Sequence, residues 1–274
     1  LVMFTYIDPK VRGRLVRRGK LVTINYEGSI IDSNSKFVEE NHAISILGPI
    51  PLPLSILGVG YNVDWYACVR HTELNKVEEL ANELRDSDGK NSFAILASSM
   101  AVNSVLIIGD RSKWQNPLIR VHSSCLTGDV FGSQRCECGP QLDKSIETIN
   151  ADAAGGMVIY MSGHEGRGIG LWAKAATYLL QDDGEDTYQA NRSLGLDEDS
   201  RDFLDAAVLI KYFHGNKDFR LMTNNPKKIK DLNTYGLDKI TPVKHLIGIT
   251  EYNKEYLSAK RNWGHRLDED DLQD

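Results

Sequence analysis

Short apolar runs alternate with amphipathic stretches along the second half of the chain. Val105-Leu-Ile-Ile108, inside Ser104–Gly109, is bounded by polar and glycine residues and reads as a buried strand. Leu118–Val121, Gly155–Met161 and Arg220–Met222 read the same way. Between the second and third runs, Leu142, Ile146 and Ile149 recur at helical spacing behind Pro140, a residue suited to a first helical turn. Leu171, Ala175, Tyr178 and Leu179 fit a second helix, and Phe203, Ala207 and Ile210 a third. Asn224-Asn-Pro226 opens a fourth, which Gly236 closes. Strands alternating with helices from about residue 104 onward predict an α/β fold.

The first hundred residues pattern differently. Residues 43–57 contain three prolines, each lacking the N–H that a sheet ladder needs. The segment therefore reads as a loop, not a central strand, leading into a strand around Tyr61–Val69. Leu74, Val77, Ala81 and Leu84 mark one face of a helix ended by Asp86-Ser-Asp-Gly89. Lys10, Arg12, Arg14, Arg17, Arg18 and Lys20 read as a solvated face or arm. The acidic run after Leu267 predicts a disordered tail. Three parts are expected: a divergent N-terminal region over 1–104, a catalytic region over 105–267, and a tail over 268–274.

Composition narrows the class. The 274 residues are 41% hydrophobic and 26% charged, as in ordinary globular proteins. A formal net charge of -6 argues against a general nucleic-acid binder, while leaving room for a local basic pocket. No apolar run reaches the length of a membrane span. Leu at position 1 is expected of a trimmed chain, and no secretory signal is recognisable. Four cysteines are too few for a disulfide framework, which points to a reducing cytoplasmic setting and to metal ligation.

Three of those cysteines, Cys125, Cys136 and Cys138, fall within fourteen residues. Three soft ligands suit a zinc ion that keeps one position open for water, as in catalytic sites. A structural zinc with a distant fourth ligand, such as His122 or His164, remains an alternative, as do unmetallated core cysteines. Cys68 reads as core. Gly163-His-Glu-Gly-Arg-Gly-Ile-Gly170 sits between a strand and a helix, where freed backbone N–H groups favour anions. Its spacing matches neither the dinucleotide nor the P-loop fingerprint. Arg167 can fork onto phosphate, and Glu165 can accept from the N1–H and 2-amino group of guanine. Lys227 and Lys228, just inside a helix start, suit a polyphosphate. By spacing alone, Asp199 reads as a helix N-cap and Arg201 as a surface charge.

Several motifs in one order resemble the GTP cyclohydrolase II family of riboflavin synthesis. They are Arg120-Val-His-Ser123, Cys125-Leu-Thr-Gly-Asp-Val-Phe-Gly-Ser with Arg135-Cys-Glu-Cys-Gly-Pro-Gln141, Gly163-His-Glu-Gly-Arg-Gly-Ile-Gly-Leu171, Tyr178 with Leu180-Gln-Asp182, Asp186-Thr187 with Ala190-Asn191, Asp199 with Arg201-Asp-Phe203, and Thr223-Asn-Asn-Pro-Lys-Lys228. Trp263-Gly-His265 is similar to the family's closing Met-Gly-His. The resemblance runs from about Val105 to Leu267.

The resemblance implies a mixed sheet flanked by helices and a homodimer. It implies an enzyme that opens the imidazole ring of GTP and releases formate and pyrophosphate, giving 2,5-diamino-6-ribosylamino-4(3H)-pyrimidinone 5′-phosphate. Cys125, Cys136 and Cys138 would hold zinc, whose activated water attacks C8. Tyr178 would assist at the ring, and Asp199 would be the proton acceptor. Arg201 takes the family's nucleophile position. A guanidinium, with a pKa above about 12, suits charge stabilisation at the phosphoryl group better. Arg120, Val121, His122, Ser123, Ser124, Gln141, Glu165, Gly166, Arg167, Thr187, Thr223 and Lys228 fall where the family contacts GTP, with Mg2+ expected on the triphosphate.

Two positions depart from the family: Ser124 stands where Glu is common, and Ser162 where Arg is common. A relative that stops at the formamide stage, one that serves another pathway, and a non-catalytic guanine-nucleotide sensor are the competing readings. Residues 1–104 lack the acidic and His motifs of the dihydroxybutanone phosphate synthase often fused to this family, so a monofunctional chain is expected.

Overall fold

The computed structural model describes residues 9–32, 42–74, 101–268 and 270–272. Nine strands form one sheet: β1 (Leu21–Ile24), β2 (Ile30–Ile31), β3 (Ile44–Ile56), β4 (Val59–Arg70), β5 (Asn103–Ile108), β6 (Leu118–Ser123), β7 (Gly156–Met161), β8 (Phe219–Met222) and β9 (Ile240–Val243). The spatial order is β2-β1-β3-β4-β5-β7-β6-β8-β9. From β2 to β7 every pair is antiparallel, whereas β6 runs parallel to both β7 and β8, and β8 parallel to β9. The expected mixed sheet is present. It also runs without a break from the N-terminal strands into the motif-bearing ones through the β4–β5 pair.

Seven α-helices described over their whole length accompany it: α1 (Pro9–Arg17), α2 (Cys138–Ala151), α3 (Leu171–Asp182), α4 (Thr187–Ser193), α5 (Leu204–His214), α6 (Pro226–Thr234) and α7 (Lys254–Asn262). Alternation along the strands divides the core between the two sheet faces. Val105, Ile107, Ile119, Val121, Met157 and Ile159 join Ile24, Ile44 and Ile46 beneath α5. Ile108, Leu118 and Val158 face the other way, against Ile146 and Ile149 of α2. α5 is buried almost all round, consistent with its run of Ala, Val, Leu and Ile.

Four expectations need correction. Residues 44–56 are a strand despite their prolines. β1 covers β3 only as far as the Leu21↔Leu47 pair, and the register shifts between Leu47 and Ile50. Pro49, Pro51 and Pro53 lie beyond that cover, so on one side no ladder asks for their missing N–H. The helix over Leu171–Leu179 forms, but Leu171 and Leu179 are exposed and its buried residues are Lys174 and Thr177. Asp199 caps no helix, since α5 starts at Leu204 behind Phe203. Asp268 and Asp271 of the acidic tail are ordered, both pairing with Lys244 at 2.8 and 2.5 Å. Of the expected helix of Leu74, Val77, Ala81 and Leu84, only Leu74 is among the described residues, where 71–74 are helical; the rest lies outside them.

The Nε–H of Arg70, at the end of β4, is shared between the two carboxylate oxygens of Asp205 on α5 at 3.0 and 3.1 Å, and Asn103 donates to the same carboxylate at 3.3 Å. The N-terminal strands thus share both core and polar contacts with the rest. Ile46→Ala empties part of that shared core and is expected to cost about 3 kcal/mol. Urea unfolding should remain one transition, shifted as a whole. Two transitions, with only the first displaced, would show that the N-terminal strands fold apart.

Candidate active site

Three loops leave the carboxyl ends of the parallel strands β6, β7 and β8 and meet above one edge of the sheet, the usual place for a site in such sheets. The first carries the cysteines. Cys125 follows β6 directly, and Cys136 and Cys138 flank the start of α2. Their sulfurs lie within 4.8 Å of one another. Gly128 makes this possible: a Cβ there would stand 2.8 Å from Cys136 Sγ and 3.2 Å from Cys125 Sγ. No histidine joins the group among the described residues. His122 Nε2 is taken by Asp129 at 3.0 Å, and His164 bridges Ser123 Oγ and the Asp202 carbonyl. The alternative of a fourth histidine ligand therefore has no support in the geometry. Cys68 is core, as expected, with its thiol pKa pushed up by burial.

Lys174 was missed. Its Nζ sits 3.1 Å from Cys125 Sγ, 2.6 Å from Glu165 Oε1 and 3.0 Å from Thr127 Oγ1. Hydrogen bonds from Cys136 and Cys138, reinforced by this ammonium, hold the Cys125 thiol pKa far down. Cys136, bonded to that charge, is pushed up to about 12, and Cys138 is raised for the same reason. Proximity thus favours one thiolate and disfavours the next two. A soft divalent cation would let all three sulfurs ionise, and the donor set and glycine gap fit one.

The second loop follows β7. Gly166 and Arg167 both adopt left-handed backbone, φ 59° and 63°, which turns Glu165 and Arg167 in different directions. Glu165 accepts from Lys174 and from the Leu126 N–H at 2.7 Å. It therefore braces the cysteine loop, in addition to whatever it accepts from a ligand. The Arg167 guanidinium lies over the Tyr188 ring at 3.9 Å, with Nη2 buried and unpartnered. Tyr178, on α3, reaches back to Thr127 Oγ1 at 3.1 Å.

Asp199 and Arg201 form a bidentate pair at 2.8 and 2.6 Å, and Arg201 also reaches Ser123 Oγ at 3.3 Å. Only 11% of the Arg201 side chain is exposed, so the surface-charge reading fails. Burial opposes ionisation of Asp199, but the Arg201 hydrogen bonds prevail and hold its carboxyl below the usual range.

The third loop, after β8, adds Thr223 and the buried Lys228, whose Nζ donates to the Val121 carbonyl at 2.7 Å. Burial, then Arg120 and Arg201, hold the Lys228 pKa well down. Arg120 donates to the Met222 carbonyl and to Gln141 Oε1 at 2.9 and 2.7 Å.

These residues line two adjoining cavities. One contains Ser124, the three cysteines, Glu165, Gly166, Tyr178 and Thr187. The other contains Arg120, His122, Gln141, Thr223 and Lys228. Ser123, Cys138, Arg167 and Arg201 face both. Val121 lines neither and contributes its carbonyl to Lys228, while Asp199 faces a separate cavity beside Lys227 and Trp263. Glu137, Lys260, Tyr256 and His265 also line the cationic cavity; none was a candidate site residue, although His265 belongs to the Trp263-Gly-His265 motif. Glu137 had one signal, its place between two candidate ligands; the others lie far along the chain.

Such a pairing of a thiol cluster with a cationic cavity defines an α/β protein equipped for a metal ion and a polyanionic ligand. Residues 86–243, more than half of the chain, match the family described as GTP cyclohydrolase II. The chain belongs to that family. GTP cyclohydrolase-2 of Vibrio vulnificus is 48% identical over 148 residues, 54% of this chain and 73% of that protein. Riboflavin biosynthesis protein RibBA of Mycobacteroides abscessus is 50% identical over 168 residues, 59% of this chain and 40% of that protein. Monofunctional riboflavin biosynthesis protein RIBA 3, chloroplastic, of Arabidopsis thaliana is 47% identical over 159 residues, 58% of this chain and 31% of that protein. The match thus spans less than half of the last two relatives. No helix among the described residues is long and apolar enough to cross a membrane.

Burial holds His164 at a pKa of about 3 and His245 at about 4, with neighbouring cations adding to the effect. Both are neutral in folded and unfolded chains above pH 7, so they contribute nothing there. Below their ordinary value of about 6.5 the unfolded chain binds protons that the folded one refuses. Each then costs about 1.4 kcal/mol per pH unit until its folded value is reached. Stability is expected to fall by about 3 kcal/mol between pH 6.5 and 5 for the two together. Urea midpoints that stay level over that range would contradict it.

Proposed function

We propose that the chain is a zinc-dependent GTP cyclohydrolase II catalysing the first step of riboflavin synthesis. The observation that carries this reading is the three-thiol cluster opening directly onto the cavity of Arg167, Arg201 and Lys228. A zinc ion bound by Cys125, Cys136 and Cys138 would supply Lewis acidity, bringing the pKa of a water to about 7.

The chain's own groups account for the rest. Glu165, braced by Lys174, accepts from the guanine N1–H and 2-amino group and presents C8 to the cysteines. Burial keeps the Tyr178 phenol protonated, so it donates to the ring nitrogen released when the C8–N9 bond breaks. A second water frees C8 as formate, and a third cleaves the α–β phosphoanhydride. Arg201 stabilises charge at the α-phosphoryl group, while Asp199 fixes its orientation through both carboxylate oxygens. Arg120, Ser123, Gln141, Thr223 and Lys228 hold the nucleotide, with Mg2+ on the triphosphate. The exposed Leu171, Trp172 and Leu179 on α3, Trp172 at 91% exposure, support a homodimer through that face. Four free cysteines suit the cytoplasm.

A second reading rests on Ser124 and Ser162. The Ser124 hydroxyl donates to the Ser162 carbonyl at 2.9 Å, so both departures from the family fall at one spot beside the cysteine cavity. A site that has lost a carboxylate and a cation there could stop at the formamide product.

Zinc-loaded protein incubated with GTP is expected to release formate and pyrophosphate in equal amounts, read by mass spectrometry. Pyrophosphate with a formylated pyrimidine selects the second reading, and unchanged GTP defeats both. Cys136→Ser should lower bound zinc below one per chain and abolish formate release. Arg201→Ala should slow pyrophosphate release by about a hundredfold or more while zinc content stays at one. Normal kinetics in that variant would return Arg201 to a structural role.

A further inference from the structure

The chain beyond Val243, past the matched residues 86–243 but carrying the Trp263-Gly-His265 likeness, closes the cationic cavity. His245 is latched by Asn224 at 2.9 and 2.8 Å and by the Gln141 carbonyl at 2.9 Å. Past α7, the Arg266 N–H donates to the Asn224 carbonyl at 2.9 Å. Trp263 stacks on Tyr188 at 4.2 Å, directly behind the ring that carries Arg167. Held at both ends, α7 turns Tyr256 and Lys260 into the cavity. Lys260 is ion-paired there with Glu137, and both side chains are buried, 13% and 5% exposed.

The charge in this cavity is out of balance. Arg120, Arg167, Arg201, Lys228 and Lys260 face it, and even with Asp199 paired to Arg201 and Glu137 to Lys260 the basic groups outnumber the carboxylates. Among the described residues, six buried side-chain atoms have no hydrogen-bond partner, and four belong to this lining: Arg120 Nε, His122 Nδ1, Glu137 Oε2 and Arg167 Nη2. Buried cations held this close repel one another, and two of these atoms, Arg120 Nε and Arg167 Nη2, are donors left unmet, a cost that a bound polyanion removes. An oxyanion with several negative oxygens accepts from such donors, and no neutral ligand balances the charge.

We propose that Lys260 is a phosphate ligand, delivered by the C-terminal segment, and that Glu137 occupies its ammonium until a polyphosphate takes it over. The assignment rests on the GTP reading only in saying whose polyphosphate enters; the cation cluster stands without it. Glu137 then works as a competitor. Removing its charge frees Lys260 for the ligand, and removing Lys260 leaves the ligand one cation short.

Calorimetric titration of the zinc-loaded full chain with tripolyphosphate, GTP and guanosine tests this, with zinc content and thermal unfolding checked for each variant. Lys260→Met is expected to weaken tripolyphosphate and GTP binding about tenfold or more and to leave guanosine unchanged. Lys260→Arg should retain most of the affinity. Glu137→Gln is expected to tighten tripolyphosphate binding, the opposite sign. If both Lys260→Met and Glu137→Gln weaken binding, the pair is structural and the proposal fails. It fails equally if Lys260→Met binds GTP as the parent chain does, a result that leaves the GTP reading intact. Tripolyphosphate binding that depends on Lys260, in a chain with no affinity for GTP, would keep the Lys260 assignment and overturn the nucleotide reading.

Discussion

Parallel pairing of β6 with β7 and β8 is the constraint on which the site depends. Parallel strands end on the same side, so the loops that follow them must converge. Here those loops bring Cys125, Glu165 with Arg167, and Thr223 with Lys228 to one place, although a hundred residues separate the first from the last. A one-residue slip of β6 against β7 would turn Arg120 and His122 toward the opposite face, because side chains alternate along a strand. The buried apolar partners Ile119, Val121, Met157 and Ile159 hold that register from below.

Electrostatics follows from this convergence. The cluster of thiols is stabilised by a lysine that also grips Glu165, so metal-ligand loop and glycine-rich loop are joined through one ammonium. On the other side of Cys138 the balance reverses, and cations outnumber carboxylates around a common cavity. A site of this kind is poorly self-satisfied when empty, and the cost is met by burial elsewhere in the sheet. The poise suits a ligand with an electron-rich ring at one end and several negative oxygens at the other.

The N-terminal strands are part of this scaffold and not an appendage. β4 covers β5, which would otherwise be an open edge beside the site. Arg70 and Asn103 meet on Asp205, and Asn103 also accepts from the Ser162 N–H at 3.1 Å, so the contact chain reaches the loop after β7. Ser162 in turn accepts from Ser124, one residue before the first cysteine. Arg70, outside the matched residues, is thus linked through Asp205 and Asn103 to Ser162 and, through Ser162, to Ser124, the two positions where the motifs depart from the family.

Local chemistry along the chain was enough for much of this. Apolar runs located β5 through β8, helical spacing located α2, α3 and α5, the Asn-Pro opening and Gly236 located α6, and cysteine spacing located the metal-type cluster, because each depends on near neighbours. Where the reading erred, the deciding fact was a distant partner. The prolines of β3 are harmless only because β1 stops at Leu21↔Leu47. α3 buries Lys174 in place of its leucines because the thiols and Glu165 lie beneath that side. Asp199 and Arg201 look like a cap and a surface charge until Ser123 and Lys227 close around their loop. Lys260, more than a hundred residues from Glu137, has no local signal at all. Periodicity and spacing are properties of the chain by itself, whereas burial of a charge is set by whatever the fold places against it, and only the folded chain decides that.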